Sequence, residues 1–156
     1  PTMGNPVSHG GDVVLSWLPT GEVRTYNTRG AYFNAISPDR TVFAGDVLYG
    51  NRLPALIPDG SVKGWLAAHD ALRASNGRLF VPGHGQPGPL AAFDHSTRDY
   101  LERLKHHMDD AVKRGVDIEA ARTSFDASAW KSLANFNELN GRNAYQAYQE
   151  SEAEGF

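Results

Sequence analysis

The 156 residues contain no cysteine. Disulfide frameworks and thiolate zinc sites are thereby excluded, and any metal must be held by His, Asp or Glu. Basic runs are also missing. Residues such as Lys105 and Lys113 are scattered, and 15 Lys+Arg against 18 Asp+Glu leave a formal net charge of −3. Neither nucleic acid nor an anionic membrane surface is an expected partner. No apolar stretch approaches the roughly 18 residues of a membrane span, and no charged-then-apolar leader is present. The expectation is a soluble protein, cytoplasmic or periplasmic. Serine hydrolysis lacks its Gly-x-Ser-x-Gly elbow, and phosphate binding lacks a Walker-type loop. The six histidines, His9, His69, His84, His95, His106 and His107, never occur as His-x-His.

What is present is ordinary globular composition, 40% hydrophobic and 21% charged, enough for one domain or half-domain with a core. Glycine, proline, asparagine and serine dominate residues 1–11, which read as a loop carrying His9. Strands are expected at 12–18, 22–26, 31–36 and 41–44, the middle two as an antiparallel hairpin. Residues 47–60, punctuated by Gly50, Pro54, Pro58 and Gly60, read as a surface loop. Ser61 is a good N-cap for a helix with Val62, Trp65, Leu66, His69 and Leu72 on one face, closed by Gly77. A strand over 78–81 then makes the order strand, helix, strand, which suits a crossover between parallel neighbours. Apolar positions from Phe93 to Val112 recur at three and four and predict one long amphipathic helix ending at Arg114-Gly115. Two shorter helices are expected over 118–125 and 139–154, the second with Ala144, Tyr145 and Tyr148 on one side.

Two stretches carry the candidate chemistry. Thr-Val-Phe-Ala-Gly-Asp at 41–46 and Leu-Phe-Val-Pro-Gly-His-Gly at 79–85 each read as a short buried strand that stops at glycine and delivers one metal-competent side chain, Asp46 and His84. A lone Gly-Asp also describes a turn aspartate capping its own backbone. A loop histidine without a role is the other reading of His84, although a proline and two glycines around it favour a presented imidazole. His9, followed by Gly10-Gly11-Asp12, is presented similarly, and Asp12 is either a carboxylate orienting a neighbouring imidazole or simply a strand start. His69 falls on an apolar helix face and reads as a core or edge histidine with a satisfied hydrogen bond. His106 and His107 are adjacent on one helix and cannot chelate an ion as a pair.

The order of these motifs, with a helix between them, resembles the C-terminal half of the metallo-β-lactamase-fold hydrolases. The matching residues are Asp-Val-Val-Leu-Ser-Trp-Leu-Pro at 12–19, Val-Phe-Ala-Gly-Asp at 42–46, Gly-Ser-Val-Lys-Gly-Trp-Leu at 60–66 and Pro-Gly-His-Gly at 82–85. The run Gly-Asn-Arg-Leu-Pro at 50–54 is similar to the thiosulfate-oxidation and quinoprotein-associated zinc metallohydrolase branch. The resemblance implies an α/β fold, the C-terminal half of a four-layer αββα sandwich. It implies that Asp46 bridges two metals, that His84 is the last histidine of the second metal site and that His9 is the third histidine of the first. His9 departs from the family's His-Thr-x-Gly-Asp, lying three rather than four residues before its aspartate and lacking the threonine.

The same resemblance implies a zinc-dependent hydrolase, two zinc ions per complete site, in which metal-activated hydroxide attacks an ester, thioester, amide or lactam of a small-molecule substrate. The family's His-x-His-x-Asp-His motif is not among these residues. A complete site is therefore expected to need the N-terminal half of the same enzyme, or a self-associated dimer. One mononuclear iron in a persulfide-dioxygenase-like site is an alternative, because imidazole and carboxylate suit both metals. A non-catalytic binding or assembly module on the same fold is another.

Overall fold

The computed structural model describes residues 40–58 and 60–155 in full, together with the backbone of four strands at 7–9, 12–14, 22–25 and 33–36. Strands β1 (Val7–His9) and β2 (Asp12–Val14) form an antiparallel ribbon with His9 opposite Asp12. Strands β3 (Glu22–Thr25), β4 (Phe33–Ile36), β5 (Thr41–Tyr49) and β6 (Leu79–His84) form a second sheet in that order. The β3–β4 and β4–β5 pairs are antiparallel, and β5 and β6 are parallel. The hairpin expected in the first third is present. Parallel neighbours need a crossover of a dozen or more residues, and helix α1 (Val62–Ala74) supplies it.

Strand β5 does not stop at glycine. It runs on to Tyr49, with register shifts against β6 on either side of Gly45. Gly45 has φ +54, a conformation that admits an extra residue into one strand as a bulge. Val47, Leu48 and Tyr49, assigned to a surface loop by the glycines and prolines downstream, are buried strand residues. The irregular segment begins only at Gly50, and even there Leu53 and Leu56 point into the core.

Helix α1 begins as expected at Ser61, whose Oγ accepts the Gly64 N–H. A second cap comes from helix α4 (Phe136–Glu154), where the Glu150 carboxylate accepts the N–H groups of Val62 and Lys63 at 2.7 and 3.2 Å and the Ser61 hydroxyl at 2.8 Å. A carboxylate there satisfies orphan donors and complements the helix dipole. The helix stop is Asn76, at φ 58, rather than Gly77. Gly77 has a packing role instead, since a Cβ would meet Val42 Cγ2 at 2.5 Å and Phe80 Cζ at 2.7 Å.

The predicted long helix is three elements: a 3-10 turn (Leu90–Phe93), a π-helical stretch (Asp94–Asp99) and helix α2 (Tyr100–Lys113). The wider π turn sets two consecutive buried hydroxyls against the backbone of one residue, Tyr49. Thr97 Oγ1 accepts the Tyr49 N–H at 3.0 Å, and Ser96 Oγ donates to Tyr49 O at 2.5 Å. Helix α2 closes at Gly115, φ +66, where Val116 N–H reaches Ala111 O. Helix α3 (Ile118–Ser124) is capped by Asp117, and α4 starts three residues earlier than expected. Tyr145 is exposed, so the buried face of α4 runs through Ala144, Ala147 and Tyr148. Helices α2 and α4 are tied by Lys105 to Glu154 at 2.7 Å and by Ser151 to Asp109 at 2.6 Å.

One core joins α1, α2 and α4 to the sheet through Val42, Phe80, Trp65, Leu72, Leu101, Leu104, Met108, Leu139 and Tyr148. Burying each such large side chain stabilises by about 1.5–3 kcal/mol. Among the described residues nothing covers Phe43 and Leu79 of the parallel pair in this way. Phe43 is 49% and Leu79 41% exposed. The chain is thus a mixed α/β protein with helices on one face of β5 and β6 and apolar side chains on the other.

Candidate metal centre

The Gly45 bulge and the end of β6 bring the two expected ligands together. Asp46 Oδ1 and His84 Nε2 are 3.7 Å apart, and both side chains are about half exposed. That separation is long for a hydrogen bond. Two donors each about 2.0–2.2 Å from one ion at a tetrahedral angle would lie about 3.4 Å apart, close to the observed spacing.

Glycine on either side of His84 makes this possible. A Cβ at Gly83 would sit 1.8 Å from Asp46 Oδ1 and 2.8 Å from Asp46 N. The carboxylate therefore occupies the space of the missing side chain. A Cβ at Gly85, φ +112, would sit 2.9 Å from Gly50 Cα. The Gly50 N–H in turn donates to His84 O at 2.8 Å. Both glycines are needed for close backbone approach as well as for the turn.

Two neighbours of His84 escaped the sequence reading. The Tyr49 ring lies over the imidazole, with centroids 5.0 Å apart and planes inclined by 30°, and the Ser96 and Thr97 hydroxyls fix the Tyr49 peptide. Arg52 Nη1 lies 3.3 Å from His84 Nδ1. Guanidinium can only donate, so in this arrangement Nδ1 accepts and the ring proton is on Nε2, facing Asp46. Tyr49 carried no signal, being hidden in an apolar run. Arg52 had one, in its place within the quoted Gly-Asn-Arg-Leu-Pro run.

The side chains of His9 and Asp12 lie outside the described residues, and only their backbone pairing in the ribbon is on view. His69 is a core histidine, but the hydrogen bond expected for it is not made among the described residues. It is fully buried with neither ring nitrogen hydrogen-bonded, and burial pushes it down to about 4 despite the Asp94 carboxylate 3.3 Å from Nε2. His95 stacks on Trp130, and His107 Nε2 is hydrogen-bonded to Ala121 O.

An oxygen and an imidazole nitrogen form a donor set that fits a divalent ion. A catalytic zinc takes about three protein ligands and water. Among the described residues no group of three or more metal-competent side chains converges, so Asp46 and His84 are a minority of such a shell. An ion at Nε2 would require the ring proton to leave that nitrogen and Arg52 to turn off Nδ1. Among the described residues no helix is long and apolar enough to cross a membrane.

No family model matches the chain, and no curated protein matches it. Among solved structures it is similar to a metallo-β-lactamase from Pontibacter korlensis, at 20% identity and a TM-score of 0.42. The match covers 65% of this chain and 46% of that one, so the chain spans less than half the length of that protein.

Proposed function

We propose that Asp46 and His84 are two ligands of a divalent-metal centre, zinc in the hydrolytic reading, and that the protein belongs to a metal-dependent hydrolase of metallo-β-lactamase type. The observation that carries this reading is the 3.7 Å approach of the Asp46 carboxylate to the His84 imidazole, held open by a glycine whose Cβ would fill the same space. When bound, the metal supplies Lewis-acid polarisation of a carbonyl or ester oxygen and an acidified water. Asp46 holds the ion and orients the nucleophile, and His84 fixes the second position. Tyr49 limits rotation of the imidazole.

The remaining ligands come from His9 and from a segment bearing the His-x-His-x-Asp-His motif on the N-terminal half of the same enzyme; a self-associated dimer, whose copies lack that motif, would have to supply them from other His, Asp or Glu side chains. The uncovered Phe43 and Leu79 support a covering sheet at the same place. Apolar side chains left wet there forgo about 1.5–3 kcal/mol each.

Elemental analysis and native mass spectrometry of the purified protein test this together. The expected result is zinc near two equivalents in an assembly larger than this chain, reduced by Asp46→Ala and by His84→Ala. Iron near one equivalent would move the reading to an oxygenase. Metal content indifferent to Asp46→Ala in the completed assembly would leave a non-catalytic module.

A further inference from the structure

We propose that Arg52 recognises an oxyanion, and that the substrate handled at Asp46 and His84 carries a carboxylate or phosphate group beside the bond that reacts. The anion binding stands on Arg52 itself, and only the link to a reaction rests on the function proposed above. Arg73, Arg98, Arg114, Arg122 and Arg142 each hold a carboxylate. Arg52 holds none among the described residues, although it is partly buried. Of its five N–H donors one contacts His84 Nδ1, and Nε is buried with no partner among the described residues. A partly buried guanidinium whose only acceptor among the described residues is an imidazole is electrostatically incomplete, and its planar fork matches an oxyanion.

Its placement is rigid. Ala134 N–H donates to Asn51 O and Leu53 N–H donates to Ala134 O, both at 3.1 Å, so the peptides on each side of Arg52 are pinned to the segment before α4. Asn51 sits at φ 57, which turns the chain at the residue before the arginine. Asparagine takes this conformation at little cost, so the turn is made without a glycine. The contact to His84 places the guanidinium beside the candidate centre, and an anion drawing Arg52 toward itself would take it off Nδ1.

The test uses the metal-depleted full chain at constant ionic strength and fixed pH. Inorganic phosphate and acetate are titrated separately while the His84 ring nitrogen and carbon resonances are followed. Wild type and the surface control Arg142→Gln should show the same saturable shift with at least one anion. Arg52→Gln should bind at least tenfold more weakly, and Arg52→Lys should fall between. Saturation by phosphate only assigns a phosphate group, and saturation by acetate only assigns a carboxylate. No saturable shift in wild type, or equal affinity in Arg52→Gln, overturns the proposal. If Arg52→Gln melts early, Arg52→Lys carries the comparison, and equality with wild type then overturns it. Because metal is absent, the titration is unaffected if Asp46 and His84 prove not to bind zinc. Zinc bound normally by Arg52→Gln would equally leave that reading intact if the titration fails.

Discussion

Replacing Gly83 with alanine separates the geometry of the centre from the stability of the sheet. The added Cβ would lie 1.8 Å from Asp46 Oδ1, 2.8 Å from Asp46 N and 2.9 Å from Gly45 C. The carboxylate can rotate away, but the two backbone atoms cannot, so β5 and β6 must also part by several tenths of an ångström. Overpacking of this kind costs about 1–3 kcal/mol, and a domain of this size loses roughly 2–4 °C of Tm per kcal/mol. Gly45→Ala is the matched control. At φ +54 it costs about 1–2 kcal/mol in backbone strain, yet its Cβ meets nothing within 4 Å. Thermal melts should therefore show comparable destabilisation. Zinc affinity, measured by competition with a chromophoric chelator on the protein in its metal-binding assembly, should fall roughly 10–100-fold for Gly83→Ala and little for Gly45→Ala. Equal zinc affinity in the two variants would refute the idea that the space at residue 83 belongs to the Asp46 carboxylate.

Three stability predictions follow from groups remote from the centre. His69 is held down to about 4 in the folded chain against an ordinary 6.5. The unfolded chain takes up a proton that the folded one refuses as pH falls through that window. Stability present above about pH 6.5 should thus decline by about 3 kcal/mol on approaching pH 4, and urea titrations of His69→Leu should show that slope flattened. Asn143 is buried, accepting from Leu56 N at 3.0 Å and donating to Pro54 O at 2.8 Å. Asn143→Leu leaves both groups unpaired and should cost about 2–5 kcal/mol, with hydrogen exchange of the Leu56 amide accelerated before that of the helices. Glu150→Ala removes the second cap of α1 and should cost about 1–2 kcal/mol by denaturant unfolding, with Glu150→Gln retaining part of it.

The hairpin, α1 with its Ser61 cap, the β5–α1–β6 order and the glycine stop at Gly115 were legible because each rests on local chemistry: a turn sequence, a hydroxyl before an apolar period, a glycine where φ must be positive. What local chemistry did not give were features set by distant atoms. The π-helical stretch answers to the Tyr49 peptide across the core, and its sequence, Asp-His-Ser-Thr-Arg-Asp, fits an ordinary helix equally well. Gly45 reads as a strand end but makes a bulge, because the pairing of β5 resumes with residues far along the chain in β6. Gly77 reads as a helix stop, yet its reason is the side chains of Val42 and Phe80. Asp46 and His84 were each found from their flanking glycines, and their approach required both strands to be seen at once.

That approach also shows where the information for the centre resides. Among the described residues neither Asp46 nor His84 is held by a strong side-chain hydrogen bond of its own. Their spacing is set instead by backbone contact of Gly83 with Asp46, by Gly50 against Gly85, and by the Gly50 N–H bond to His84 O. The Tyr49 peptide one residue upstream is gripped by Ser96 and Thr97, and its ring covers the imidazole. A ligand pair built this way keeps its spacing whether or not an ion lies between the donors, because the core that fixes β5, β6 and the π turn is already complete. Substitutions at Gly83, Gly85 or Thr97 should accordingly alter metal affinity while both ligands remain chemically unchanged. A chain in which only Asp46→Ala and His84→Ala did so would argue that the strands follow the metal rather than the reverse.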